Sequence, residues 1–234
     1  MGGRGAISTA GKQSTQPNMN NIGGAPDKRS DIQKSFVDEL GFKNVTGTNK
    51  IPTATLNSYA IALKGLEKEY GAIAASDNPI FTTANSKDGT LAAVMYRPSK
   101  PDDQMMVINT GALGSTSINL SKIRRGEQKG HFSQTDGKIT NQNAYAVTHE
   151  YGHMLQNALA ARSGKNLSSY ETNAKKEIEH IAKTKYNAGN SHVSGYGQSN
   201  AAEFFAESFA SLHSGNPNAY GKALGDWLKS NKLK

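Results

Sequence analysis

The pattern that most constrains this chain is His149-Glu150-Tyr151-Gly152-His153. It is an H-E-x-x-H run in a segment that reads as a helix from Asn143 to about Leu159. One helical turn takes about 3.6 residues, so side chains four positions apart stand on one face. His149 and His153 therefore project side by side and can hold one metal ion. Glu150 lies one residue round from His149, where it can reach a metal-bound water without being a ligand. That is the zinc-hydrolase arrangement: two imidazoles hold Zn²⁺ and a carboxylate accepts a proton from water.

Two imidazoles leave a tetrahedral site half filled. Catalytic zinc takes a third protein ligand and keeps the fourth position for water. A candidate stands in the run Ser199-Asn200-Ala201-Ala202-Glu203-Phe204-Phe205-Ala206-Glu207-Ser208-Phe209-Ala210. Ser199 or Asn200 would cap this helix by accepting from its first free N–H groups. Glu203 and Glu207 are four apart and share a face, while Phe204, Phe205, Ser208, Phe209 and Leu212 cover much of the rest. Carboxylates on so apolar a helix are costly to bury without partners, and a metal and a metal-bound histidine would be such partners. Glu203 is thus expected as third ligand. Glu207 is expected one step behind, accepting the free N–H of a ligand histidine. The alternative is a capping box in which Glu203 reaches back to Asn200.

These two motifs carry a resemblance. With His149 to His153, the run Gly195-Tyr196-Gly197-Gln198-Ser199-Asn200-Ala201-Ala202-Glu203-Phe204-Phe205-Ala206-Glu207 resembles the catalytic domain of the anthrax lethal factor family, zinc endopeptidases of the gluzincin type. The likeness includes Thr172-Asn173-Ala174-Lys175-Lys176 and covers roughly residues 145 to 213. It implies that His149, His153 and Glu203 ligate zinc and that Glu150 is the general base. It also implies that Tyr196 steadies the oxyanion and that Glu207 supports a ligand histidine. Gly195 stands where the family's namesake has serine. No match is seen before about residue 140, so substrate specificity does not carry over.

Composition narrows the alternatives. The 234 residues allow one domain, or one domain with a tail. There is no cysteine, which excludes a disulfide framework and a thiolate metal site. The net charge of +8 favours acidic partners. However, no block of five or six like charges and no interleaved aromatic–basic platform appears, so nucleic acid is not an expected partner. No apolar run approaches a membrane span, and the N-terminus lacks a signal-peptide core. The expected protein is soluble: cytoplasmic, associated with a phage particle, or exported without a signal peptide.

Along the chain, residues 1 to 28 are rich in Gly, Ser, Thr, Gln and Asn and read as a disordered tail. Residues 29 to 234 form the expected metallopeptidase domain. Ser30 to Leu40 reads as a helix with Ile32, Phe36, Val37 and Leu40 on one face, ended by Gly41. Thr53 to Tyr70 reads as a longer helix between Pro52 and Gly71, with an inward stripe of Leu56, Tyr59, Ala60, Leu63, Leu66 and Tyr70. Leu91 to Tyr96 and Met105 to Asn109 read as strands, with Pro98, Pro101 and Asp102-Asp103 between them.

By analogy with the family, Thr110 to Leu120 is expected as the edge strand beside the cleft. Residues 121 to 141 read as a loop or loose hairpin, in which Arg124 and Arg125 could attract an acidic substrate segment. His131, His180 and His192 are not expected as ligands. Ser168-Ser169-Tyr170-Glu171 reads as a capping box opening a helix to about Tyr186. Asn216-Pro217 reads as the start of a last helix that runs to about Ser230, with Tyr220, Leu224, Trp227 and Leu228 inward.

The expected fold is α+β and zincin-like: a small twisted sheet, an active-site helix over it, and a helical C-terminal half carrying Glu203. The expected activity is zinc-dependent hydrolysis of peptide or protein substrates. The competing readings are a non-catalytic phage structural or binding protein with the same fold, and a basic nucleic-acid-binding protein.

Overall fold

Thr53–Tyr70 shows how local sequence sets an element here. Its apolar residues recur at helical spacing, and every one of the expected inward stripe is buried. Gly71 stops it in the left-handed region at φ 67°, where a side chain would be strained. The computed structural model describes residues 28–87, 89–112, 116–135 and 139–231. The expected N-terminal tail lies almost wholly outside these residues, as do residues 232–234. Helix α1 is Arg29–Asp38, followed by β1 (Asn44–Val45), α2 (Thr53–Tyr70), β2 (Ile80–Ala84), β3 (Ala92–Arg97) and β4 (Lys100–Asn109). Helices α3 (Thr116–Gln128), α4 (Ile139–Ser163), α5 (Leu167–Tyr186), α6 (Ala201–Leu212) and α7 (Ala219–Asn231) complete the chain.

The fold is α+β. Among the described residues it comprises seven helices and one mixed sheet of four strands in the order β1-β2-β4-β3. β1 and β4 each pair parallel with β2, and β3 pairs antiparallel with β4. β3 is therefore an edge. Helix α4 packs on β3 and β4 on one side and touches α2, α3, α5 and α6. Tyr151 fixes it to the end of α2: its hydroxyl accepts from Ala72 N at 3.0 Å and donates to Glu67 Oε2 at 2.8 Å. The core is continuous from the Phe36, Phe42 and Phe81 rings, 4.6–6.0 Å apart, through Tyr151 to Phe205, Phe209 and Trp227. Burying each such ring contributes about 1.5–3 kcal/mol. Trp227 is the packing anchor expected of it, and its Nε1 donates to Glu177 at 2.6 Å.

Several expectations need correction. Val37 is 47 % exposed while Ile32, Phe36 and Leu40 are buried. The ten-residue α1 is too narrow to bury a residue a full 100° round from Phe36. β4 runs straight through Pro101, Asp102 and Asp103, because this end of the hairpin is open to solvent and Arg97 pairs with Asp103 at 3.0 Å. Proline is tolerated at such a strand start.

The expected strand over Thr110 to Leu120 is not borne out among the described residues: 110–112 form a turn, 116–120 belong to α3, residues 113–115 lie outside the described residues, and β3 is the edge. Residues 121–128 are helical rather than loop. Their basic side chains face outward, and Ile123 supplies the inward anchor. The α5 cap is Asn166, which accepts from Ser169 N at 3.3 Å, so Ser168 to Glu171 is no capping box. The last helix starts at Ala219, two residues beyond Pro217, because Asn218 Oδ1 accepts from both Tyr220 N and Gly221 N at 3.0 Å. Among the described residues, no helix is long and apolar enough to cross a membrane.

Candidate metal centre

Helix α4 offers His149 and His153 on its cleft face, their ring centroids 5.0 Å apart. Glu203 comes from the first turn of α6. Asn200 caps that helix by accepting from Glu203 N at 2.8 Å, which leaves the Glu203 carboxylate free to turn inward. It does not reach back to the cap. Its Oε2 lies 3.0 Å from His149 Nε2 and 3.4 Å from His153 Nε2. One ligand atom from each of the three residues lies within 4.8 Å of the others.

This spacing suits one tetrahedral ion. Zinc bonds of about 2.0–2.1 Å at tetrahedral angles separate the donors by roughly 3.3 Å. Two imidazole nitrogens and one carboxylate oxygen are also a donor set that zinc takes. The helices can come this close because residue 152 is glycine. A Cβ there would stand 3.0 Å from Phe209 Cβ and 3.1 Å from Ala206 Cα.

Glu207 is fully buried and well partnered. Its Oε1 accepts from His149 Nδ1 at 3.0 Å and from the Tyr145 hydroxyl. Its Oε2 accepts from Ser133 N at 2.8 Å. A carboxylate can only accept, so His149 carries a proton on Nδ1 and turns Nε2 toward Glu203. Burial works against charge on the His149 ring, but Glu203 and then Glu207 outweigh it and push its pKa up to about 10. Burial likewise disfavours the Glu203 charge, and the two histidines hold its carboxyl well below the usual range nonetheless.

Glu150 differs from both other carboxylates. It is 5 % exposed and its Oε2 has no hydrogen-bond partner. Burial pushes its pKa up, against the pull of His149 and His153. A buried carboxylate tuned toward neutrality, held by a backbone hydrogen bond with Val94 and with its Oε2 free, suits proton transfer.

Tyr196 lies in a short 3₁₀ turn, Tyr196–Gln198, just before α6. Its ring stacks on His149 at 5.8 Å and meets His131 at 5.5 Å. Burial, and then Glu203, keep its phenol protonated well above the ordinary range. It is a donor rather than an anion.

These residues line a cleft of about 400 Å³, walled on one side by residues 89–94 and Tyr96. Every expected site residue thus comes together: His149, His153, Glu203, Glu150, Tyr196 and Glu207. Arg124 and Arg125 do not join them; Arg124 Nε donates to Gln142 at 2.9 Å. Nor does His192. Two contributors were not foreseen. Tyr145 is one, and its bond to Glu207 has no sequence signal. Glu171 lines the cleft from α5, and burial pushes its carboxyl up. The signal for it was its place between Tyr170 and Ala174, both buried, at the margin of the inward stripe. The comparisons with known proteins add nothing to this geometry: no family model, curated protein or solved structure matches the chain.

Proposed function

We propose that this chain is a zinc-dependent endopeptidase. The observation that carries the reading is the convergence of Glu203 from α6 on His149 and His153 of α4, with Glu150 buried beside them and its Oε2 free of any hydrogen bond. The resemblance of both motifs to the lethal factor-like zinc endopeptidases supports it.

His149, His153 and Glu203 would hold the ion. Zinc bound there supplies a Lewis acid that acidifies water and polarises a carbonyl. The chain's own residues do the rest. An extended peptide lies along β3, whose free edge offers backbone N–H and C=O groups on the cleft side. Glu150 accepts a proton from the attacking water and returns it to the departing amine. The Tyr196 phenol donates to the oxygen that becomes negative at the scissile carbonyl. Glu207 keeps His149 in one orientation and one tautomer. Phe132, Leu91 and Ala92 make the wall apolar and limit water around the proton in transit.

The test is a pair of variants assayed for metal and for cleavage. Wild type takes up one zinc per chain and cleaves peptides in a mixed library. Glu203→Ala loses the zinc. Glu150→Gln keeps it and loses roughly 10²- to 10⁴-fold in rate. Undiminished cleavage by Glu150→Gln, or a wild type that takes up no zinc, would defeat the reading.

A further inference from the structure

The cleft follows α4. Tyr145, His149, His153 and Asn157 succeed one another at four-residue intervals, and all four line it. At about 1.5 Å per residue this stretch covers roughly 18 Å, room for about five residues of extended peptide. Its two ends differ in chemistry. At the Tyr145 end the rings of His131, Phe132 and Tyr196 gather with centroids 4.8–6.3 Å apart. At the Asn157 end stands Glu171 of α5, with His153 and Tyr96 of β3 as its electrostatic neighbours.

Glu171 is a carboxylate without a lysine or arginine partner, and His153 is the cationic neighbour that acts on it. Glu171 is partly buried, and among the described residues it makes no hydrogen bond or ion pair. The lysine best placed to neutralise it is Lys175, four residues on along the helix. That ammonium lies over the Phe204 ring at 5.3 Å and faces Glu179 at 3.9 Å instead. The chain has 27 Lys and Arg, yet among the described residues none lines the cleft. The net charge of +8 is therefore spread elsewhere on the surface. A carboxylate drawn out of water is costly until a cation or donor meets it. The fold keeps its lysines and arginines away from this one, which leaves the position to a basic side chain of whatever binds.

From this we infer that the cleft selects a peptide with a lysine or arginine side chain beside the scissile bond, on the His153 side. Glu171 is the specificity-determining residue, and the Tyr96 ring packs along the aliphatic stem and under the charge. The inference rests on the endopeptidase reading and adds its substrate class.

The test combines cleavage and binding. The zinc-loaded protein is given a peptide library, and the positions flanking each cut are scored. Affinity for a lysine peptide and its norleucine counterpart is measured separately in the Glu150→Gln background. Lysine and arginine are expected to dominate one flanking position. Glu171→Gln, which preserves shape, lowers the lysine-over-norleucine ratio in kcat/KM and in affinity by roughly ten- to hundredfold. Glu171→Lys turns the same position toward Asp and Glu. Cleavage with a flat profile, or a basic preference that survives Glu171→Gln, overturns the inference and leaves the endopeptidase reading in place. A zinc-loaded wild type that neither cuts nor binds any peptide overturns both.

Discussion

His149 Nδ1 donates to Glu207 Oε1 across 3.0 Å, tying α4 to α6 behind the candidate metal position. The same carboxylate takes the Tyr145 hydroxyl and the Ser133 backbone N–H, so it is itself immobile. The ring it holds can present only Nε2 to the cleft. Glu207→Gln is expected to lower zinc affinity by about 10- to 100-fold without abolishing it. Competition with a chromogenic chelator measures this. Unchanged affinity would mean that the ring is oriented by packing alone.

Tyr196 stacks on the His149 ring and stays a protonated donor. Tyr196→Phe preserves the stack and removes the hydroxyl. One zinc per chain should remain, with kcat down by roughly 10²- to 10³-fold and KM little changed. A rise in KM at constant kcat would assign the phenol to substrate binding instead.

Gly152 sets the distance between α4 and α6. The Cβ of Gly152→Ala meets Phe209 Cβ and the Ala206 backbone, neither of which is the end of a flexible side chain. Crowding of this kind costs about 1–3 kcal/mol, and alanine's better helix propensity returns at most about 1 kcal/mol. Net destabilisation by denaturant titration, together with weaker zinc binding, is the expected result. Equal stability and equal affinity would locate the helix spacing elsewhere.

His213 titrates away from the site. It packs on Phe209 at 4.6 Å and on Tyr70 at 5.5 Å, and burial pulls its pKa down from 6.5 to about 4. The unfolded chain binds the proton first as pH falls, so stability rises with pH across this window. The contribution is complete above about pH 6.5, shrinks as pH falls toward 4, and amounts to at most about 3 kcal/mol. Urea titrations of the zinc-free protein between pH 7 and 4 should show a smaller loss in His213→Phe than in wild type. Parallel curves for the two proteins would contradict the assignment.

Local pattern was readable wherever one helix face decided the outcome. The bounds of α2 followed from its stripe, Pro52 and Gly71. The inward residues of α7 followed in the same way. Reading failed where the deciding contact was remote. β2 fully buries only Phe81 of its five residues, so Ile80–Ala84 gave no alternation to see. Helix α3 looked like a loop because its described exterior is basic and Ile123 is its buried apolar anchor. The edge strand was misassigned because pairing partners, not composition, decide which strand of a sheet is last. Glu171 passed for a capping residue because Asn166 holds the cap through a contact that spacing alone does not distinguish.

Sequence by itself determined that His149 and His153 stand together, since a four-residue step is a property of any α-helix. It likewise determined that Glu203 and Glu207 share a face, and that no thiolate could serve as ligand. Only the tertiary structure decided that these two helices meet, at a spacing set by Gly152, with Glu203 against the Nε2 atoms of His149 and His153 and Glu207 behind the His149 ring. The reason is physical: side chains within one helix are positioned by backbone geometry, whereas side chains more than fifty residues apart meet only through the packing of everything between them.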